Sequence, residues 1–211
     1  MKGEDVLNEL ISRIPALESC KQEIGDAAEA IIECFAMHGK LLICGNGGSC
    51  ADADHMVGEL MKSFEKKPSL PEELKKRLQA ASEDRGPYLA DHLQQAMPAI
   101  SLCSHTSLVT AISNDMDASL VFAQQVAGYG RKGDVLFAIS TSGNSQNVLD
   151  AAIAANAKDM IVIGLTGQHG GELLSYCDIT ICVPAIKTGQ VQEYHLPVYH
   201  ALCRIIESRF F

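Results

Sequence analysis

The 211-residue sequence is short of positive charge: 17 Lys and Arg stand against 26 Asp and Glu, a formal net charge of −9 at pH 7. That balance disfavours nonspecific nucleic-acid binding, which relies on basic surface to displace counterions. It leaves anionic small molecules open as ligands, because backbone N–H groups and a helix dipole hold a phosphate without global positive charge. No apolar run is long enough to span a bilayer, so no membrane association is expected. No N-terminal stretch has the make-up of a signal peptide, and a soluble, cytoplasmic protein is expected. The eight cysteines (Cys20, Cys34, Cys44, Cys50, Cys103, Cys177, Cys182, Cys203) form no CxxC pair and no framework spacing. Several sit in apolar runs such as LLICGN and ITICVP, and they read as small buried hydrophobes in a reducing compartment. There is also no internal repeat and no linker. With 47% hydrophobic residues, one domain over 1–211 with a sizeable core is expected.

What is present alternates between two patterns. Residues 4–38 read as one or two amphipathic helices, with Val6, Leu7, Leu10, Ile11 and Ile14 at helical spacing. A short buried strand running into a Gly-rich turn is expected over 40–48, and further continuous apolar runs, expected as buried strands, lie at 97–103, 134–140, 160–167 and 178–184, with helical patterns at 49–64, 106–113, 118–129, 145–157 and 190–208. Unbroken apolar strands separated by helices specify an α/β fold, a doubly wound, mainly parallel sheet sandwiched by helices, here with an N-terminal helical extension over 1–38. The apolar face of the first helix suggests that it packs on a partner surface, hence an oligomer. Residues 65–97 form a charged insertion with Pro68, Pro71 and Pro87, expected as one or two short surface helices.

In such sheets ligands bind at the carboxyl ends of the strands, near the point where strand order reverses. Two strand-to-helix turns have suitable chemistry. The first, Cys44-Gly45-Asn46-Gly47-Gly48-Ser49, lacks the GxGxxG spacing, and no Gly-Lys-Ser/Thr closes a Walker loop, so nicotinamide and ATP chemistry are not indicated. The second, Ser140-Thr141-Ser142-Gly143-Asn144-Ser145, carries four hydroxyls in six residues, where a helix N-cap needs one. It is the stronger phosphate candidate.

His55 and Glu59, four apart, share a helix face. Near the C-terminus, TGQVQEYHLPVYH places Gln192, Glu193, His195 and His200 in one stretch. Singly, each has an ordinary reading as a core histidine or a solvated charge. Beside a phosphate turn they suit aldose–ketose isomerisation, which needs a base to move a proton between C1 and C2 and an acid to serve the oxygens.

CGNGGSCADADH, Glu59, SND (113–115), STSGNS (140–145), GLTGQHGG (164–171) and QEYHLPVYH (192–200) together resemble the phosphoheptose isomerases, a family with the sugar isomerase (SIS) fold of flavodoxin-like type, across nearly the whole chain. The resemblance implies interconversion of sedoheptulose 7-phosphate and D-glycero-D-manno-heptose 7-phosphate through an enediol, with Glu59 as base and His200 as acid. It implies substrate contacts at Asn46, Gly47, Gly48, Glu59, Asn114, Asp115, Ser140, Thr141, Ser142, Ser145 and Gln192. It also implies a zinc ion on His55, Glu59, Gln192 and His200, and a homotetramer with sites at subunit interfaces. Gln192 and His200 would sit about 12 Å apart along a regular helix. Sharing one ion therefore requires both to lean inward, a kink at Pro197, or donors from different chains.

His105 and His169 fall in loops near strand ends and read as polar loop residues. His195 reads as a supporting or substrate-contacting residue outside the catalytic set. Two rival readings stay open. The insertion can act as a cap that selects another sugar phosphate. Alternatively, the chain can be a non-catalytic SIS protein, since one such relative binds a bacterial replication initiator. The retained Glu59 and His200 favour the enzyme. A sugar-phosphate-sensing regulator would need a DNA-binding domain for which there is no room.

Overall fold

The computed structural model describes residues 3–211. Helix α1 (Gly3–Arg13) is followed by a 3-10 turn over Pro15–Cys20 and helix α2 (Lys21–Ala36). Then come β1 (Leu41–Gly45), α3 (Gly48–Met61), α4 (Glu72–Ala81), α5 (Gly86–His92), β2 (Ala99–Ser101), α6 (Thr106–Asp115) and α7 (Ala123–Tyr129). The chain closes with β3 (Val135–Ser140), α8 (Gln146–Asn156), β4 (Ile161–Thr166), β5 (Ile179–Cys182) and α9 (Thr188–Phe210). The five strands form one parallel sheet in the order β2-β1-β3-β4-β5. The order reverses between β1 and β3, so the turns that leave these two neighbours open a crevice at their carboxyl ends.

Strand alternation splits the apolar residues into two cores. Val135, Phe137 and Ile139 of β3 face a core built with α1, α2, α3 and α9, while Leu136 and Ala138 face a second core with α6, α7 and α8. Burial on both faces explains why the strands read as unbroken apolar runs. Truncating the fully buried Phe137 to Ala is worth about 3–5 kcal/mol.

Two expectations need correction. The apolar face of α1 does not await another chain: Val6 and Leu10 are buried within this one, against the core that α9 completes. And α9 runs unbroken through Pro197, so the proline does not divide it. The charged insertion forms α4 and α5, packed on each other. No residue of α4 is buried, and the buried Leu70 and Ala90 belong to neither main core. Its root is closed by a bridge between Ser69 and Gln94 and by Glu207 of α9, whose carboxylate accepts the backbone N–H groups of Phe64, Glu65 and Lys66 at 3.0–3.1 Å. Among the described residues, no helix is long and apolar enough to cross a membrane.

Candidate active site

Three helices begin at one cavity. Helix α3 starts at Gly48 with Gly47 as N-cap, α8 follows Ser145, and α9 starts at Thr188; none of the three N-caps makes a side-chain capping bond. Helix starts leave backbone N–H groups without intrahelical acceptors and concentrate positive dipole ends. The space they enclose, about 320 Å³, is lined by residues 46–49 on one side, by Ile139, Ser140, Thr141 and Ser145 on another, and by Thr188 and Gln192 of α9. Such an arrangement is suited to cradle an anion, largely through main chain.

Local geometry holds the two turns open. Ser140 Oγ donates to Ser145 Oγ at 3.2 Å. Gly143 adopts φ 69°, and a methyl there would run into the carbonyl of Gly170, so the serine turn can lie against that loop only with glycine. Gly48 serves differently: a methyl at 48 would collide with the Gln192 amide, which packs directly on the backbone. Asn46 is tied across the mouth, its amide paired reciprocally with that of Asn147 at 2.8 and 2.9 Å.

Not every expected contact reaches the cavity. Ser142 is exposed, and its Oγ accepts the Asn144 N–H at 3.1 Å, bracing the turn rather than lining the cradle. Asn114 and Asp115 end α6, where Asn114 Nδ2 donates to Asp115 Oδ1 at 2.7 Å, and neither lines the cavity. His105 is the N-cap of α6 and His169 sits in an exposed loop.

A second cluster forms where α3 packs on α9. His55 Nε2 lies 3.1 Å from Glu59 Oε1, and the His55 and His200 rings are 5.0 Å apart. Lys62 Nζ donates to Glu59 Oε2 at 3.2 Å. Phe64 covers His200, whose Nε2 is buried without a partner. Burial, then the neighbouring His55, holds His200 below the usual histidine range. Tyr199 reaches His55 Nδ1 at 2.9 Å. His200 also lines a separate cavity of about 450 Å³ with Arg13, Pro197 and Arg204. Glu59, His55 and His200 thus come together, but not on the cavity that the serine turn lines; α3 and α9 run through both.

The four donors expected for zinc do not fit one ion within this chain. Gln192 packs on Gly48, two helical turns from His200, and His55 Nε2 already faces Glu59. Among the described residues, no three His, Cys, Asp or Glu side chains form a metal-holding group.

The expected site set left out Ser49, Thr188, Asn147 and Tyr199. Ser49 closes the first turn and Asn147 follows the second, so first-turn positions of both cradle helices were the available signal. Thr188 and Tyr199 gave none: a threonine at a helix start and a tyrosine among apolar neighbours are ordinary. All eight cysteines are free, and burial pushes the thiols of Cys20, Cys34 and Cys177 up to about 12, 11 and 11, in keeping with inert core positions.

The SIS-domain family model matches residues 5–89 and 89–167. A phosphoheptose isomerase of Methylibium petroleiphilum is 40% identical over 195 residues, 91% of this chain and 84% of that protein. One from Rhodospirillum rubrum is 39% identical over 91% of this chain and 88% of its own length. The phosphoheptose isomerase GmhA from Neisseria gonorrhoeae superposes with a TM-score of 0.71 at 35% identity, covering 96% of this chain and 98% of that one. The Francisella tularensis phosphoheptose isomerase gives 0.74 at 31% identity, covering 99% and 100%.

Proposed function

Because the chain belongs to the phosphoheptose isomerases of the SIS-domain family, we propose that it interconverts sedoheptulose 7-phosphate and D-glycero-D-manno-heptose 7-phosphate, as a homotetramer in the cytoplasm. One observation carries the reading: α3 and α9 each contribute to both the anion cradle and the Glu59–His55–His200 cluster, so a phosphate and an acid–base pair are anchored to the same two helices.

In this mechanism the helix N-termini and the hydroxyls of Ser140, Thr141 and Ser145 hold the phosphate, and Gln192 orients the sugar. The Glu59 carboxylate takes the proton from the carbon beside the carbonyl, giving an enediol, and returns it to the neighbouring carbon. Burial, then the neighbouring His55, disfavours the charged form of His200. A neutral imidazole donates its N–H to the carbonyl oxygen and receives a proton from the adjacent hydroxyl, so both oxygens are served without a net change of charge. A second copy of the chain brings its cluster to this cradle. Zinc on His55, Glu59, Gln192 and His200 remains a proposal that donors from two chains would have to satisfy, and no step here uses it.

The test is incubation of the purified protein with a panel of ketose phosphates, with and without a chelator, followed by NMR. The expected result is interconversion of the seven-carbon substrate, abolished by Glu59→Gln with the fold intact. Wild-type-like turnover in Glu59→Gln would remove the assigned base. No turnover of any sugar phosphate by the folded wild type would favour the non-catalytic reading.

A further inference from the structure

Helix α3 ends at Met61, and the extended Lys62 carries the chain out of it, so the backbone N–H groups that follow have no helical acceptors. Side chains take four of them in a row. Ser63 N–H donates to Gln94 Oε1 at 2.8 Å, and the N–H groups of Phe64, Glu65 and Lys66 all donate to the carboxylate of Glu207 at 3.0–3.1 Å. Buried backbone donors need an acceptor, but that need does not dictate where the acceptor stands. Glu207 is buried on α9, seven residues after His200 and about two turns along, so both lie on one side of the helix. The segment it gathers brings Phe64 back to the His200 ring, with centroids 5.4 Å apart and planes tilted by 47°.

An imidazole turns about χ2 in broad wells, so its direction is set by what packs on it. Three rings pack on His200: His55 and Tyr199, each 5.0 Å away and edge to face, and Phe64. His55 stands on α3 and Tyr199 on α9, and both helices are built into the main core. Phe64 stands on the connecting segment, which two contacts tie to α9. One is the Glu207 carboxylate; the other joins Arg204 Nε to Glu65 Oε1 at 2.7 Å, side chain to side chain. Of the two, the first grips the backbone and so sets the direction in which Phe64 leaves it.

We infer that Glu207 is a positioning residue: its carboxylate fixes the backbone of residues 64–66, which seats Phe64 on His200 and sets the face that His200 turns to the sugar. The inference rests on His200 as the acid of the proposed isomerase, and the charge of the imidazole plays no part in it. Phe64 and Glu65 also line the cavity of about 450 Å³ beside His200, so the same clamp shapes the space in front of the imidazole. A carboxylate suits the task because it offers acceptors only; in Glu207→Gln one oxygen becomes an NH2 group that opposes the converging N–H groups.

Two measurements test the inference. The first is NMR cross-relaxation between the ring hydrogens of Phe64 and His200 in the purified full-length protein, with both residue types selectively labelled. It needs no turnover, so it stands apart from the fate of the isomerase reading. The contact should be present in the wild type and lost in Glu207→Gln; an unchanged contact in that variant overturns the inference. The second is kinetic. Glu207→Gln and Phe64→Leu should each lower kcat roughly 10-fold or more, as expected of a displaced catalytic group, with KM within about twofold. The double variant should be no worse than the poorer single one, because both changes cut the same route. Phe64→Leu leaves the clamp itself in place, so it decides the matter even if Glu207→Gln fails to fold. Wild-type kcat in Phe64→Leu, or costs that multiply in the double variant, would mean that Glu207 serves only to satisfy the backbone.

Discussion

His195, on α9, is fully buried; burial dominates its electrostatics, and the backbone of Thr166 works the other way, favouring the charged form. Burial lowers its pKa from 6.5 to about 4. In the unfolded chain the ring takes a proton near pH 6.5, whereas the folded protein refuses it until about pH 4, so the unfolded state binds the extra proton throughout that window. Stability therefore falls as pH drops from 6.5 to 4 and is unaffected by this group above it, a span worth roughly 3 kcal/mol. Urea midpoints measured across that range should fall steeply in the wild type and less steeply in His195→Phe; equal slopes would mean the ring is charged in the fold. His195 also shows where sequence reading stops. QEYHLPVYH identified three histidine or glutamine positions of interest, but nothing in the letters says that one histidine points into the core while His200, five residues on, meets His55. Tyr199 was hidden for the same reason: a helix rotates its neighbours onto different faces, and only packing reveals which face is polar.

At the scale of elements, the strands were the most legible part, because a strand buried on both faces must be apolar throughout and ends where glycine and serine begin. The two cradle turns were legible for the same reason. What periodicity could not supply was the direction of cover: α1 looked as if it needed a partner, but α9, almost 200 residues later, buries it. The inserted pair α4 and α5 was legible as surface, and its isolation has a measurable consequence. Replacing residues 71–93 with a short turn joined near the Ser69–Gln94 bridge should leave a cooperative melt with Tm lowered by no more than about 4 °C. Loss of cooperativity would show that the hairpin supports the main cores. If the hairpin instead selects the sugar, stability would hold while the preference among ketose phosphates changes.

For the whole molecule, the important fact is that one chain holds both halves of the proposed site without joining them in one cavity. That separation was illegible in the sequence, where the motifs follow one another as if they met. If a neighbouring copy completes each site, two inactive variants should repair one another. Gly48→Ala drives a methyl into the Gln192 amide and spoils the cradle, while Glu59→Gln removes the base. Each alone should be inactive. A mixture allowed to exchange subunits should regain activity, because some interfaces then pair an intact cradle with an intact carboxylate. No recovery after verified exchange would place the whole reaction inside a single chain.

The paired amides of Asn46 and Asn147 stand at the entrance to the cradle. Each gives the other one hydrogen and takes one in return, so the pair carries no charge and titrates at no pH that the fold survives. Such a doorway is indifferent to acidity and to salt. What can part it is a solute offering a donor and an acceptor side by side, as neighbouring hydroxyls on a sugar do, which makes the entrance responsive to the part of the molecule that is not phosphate.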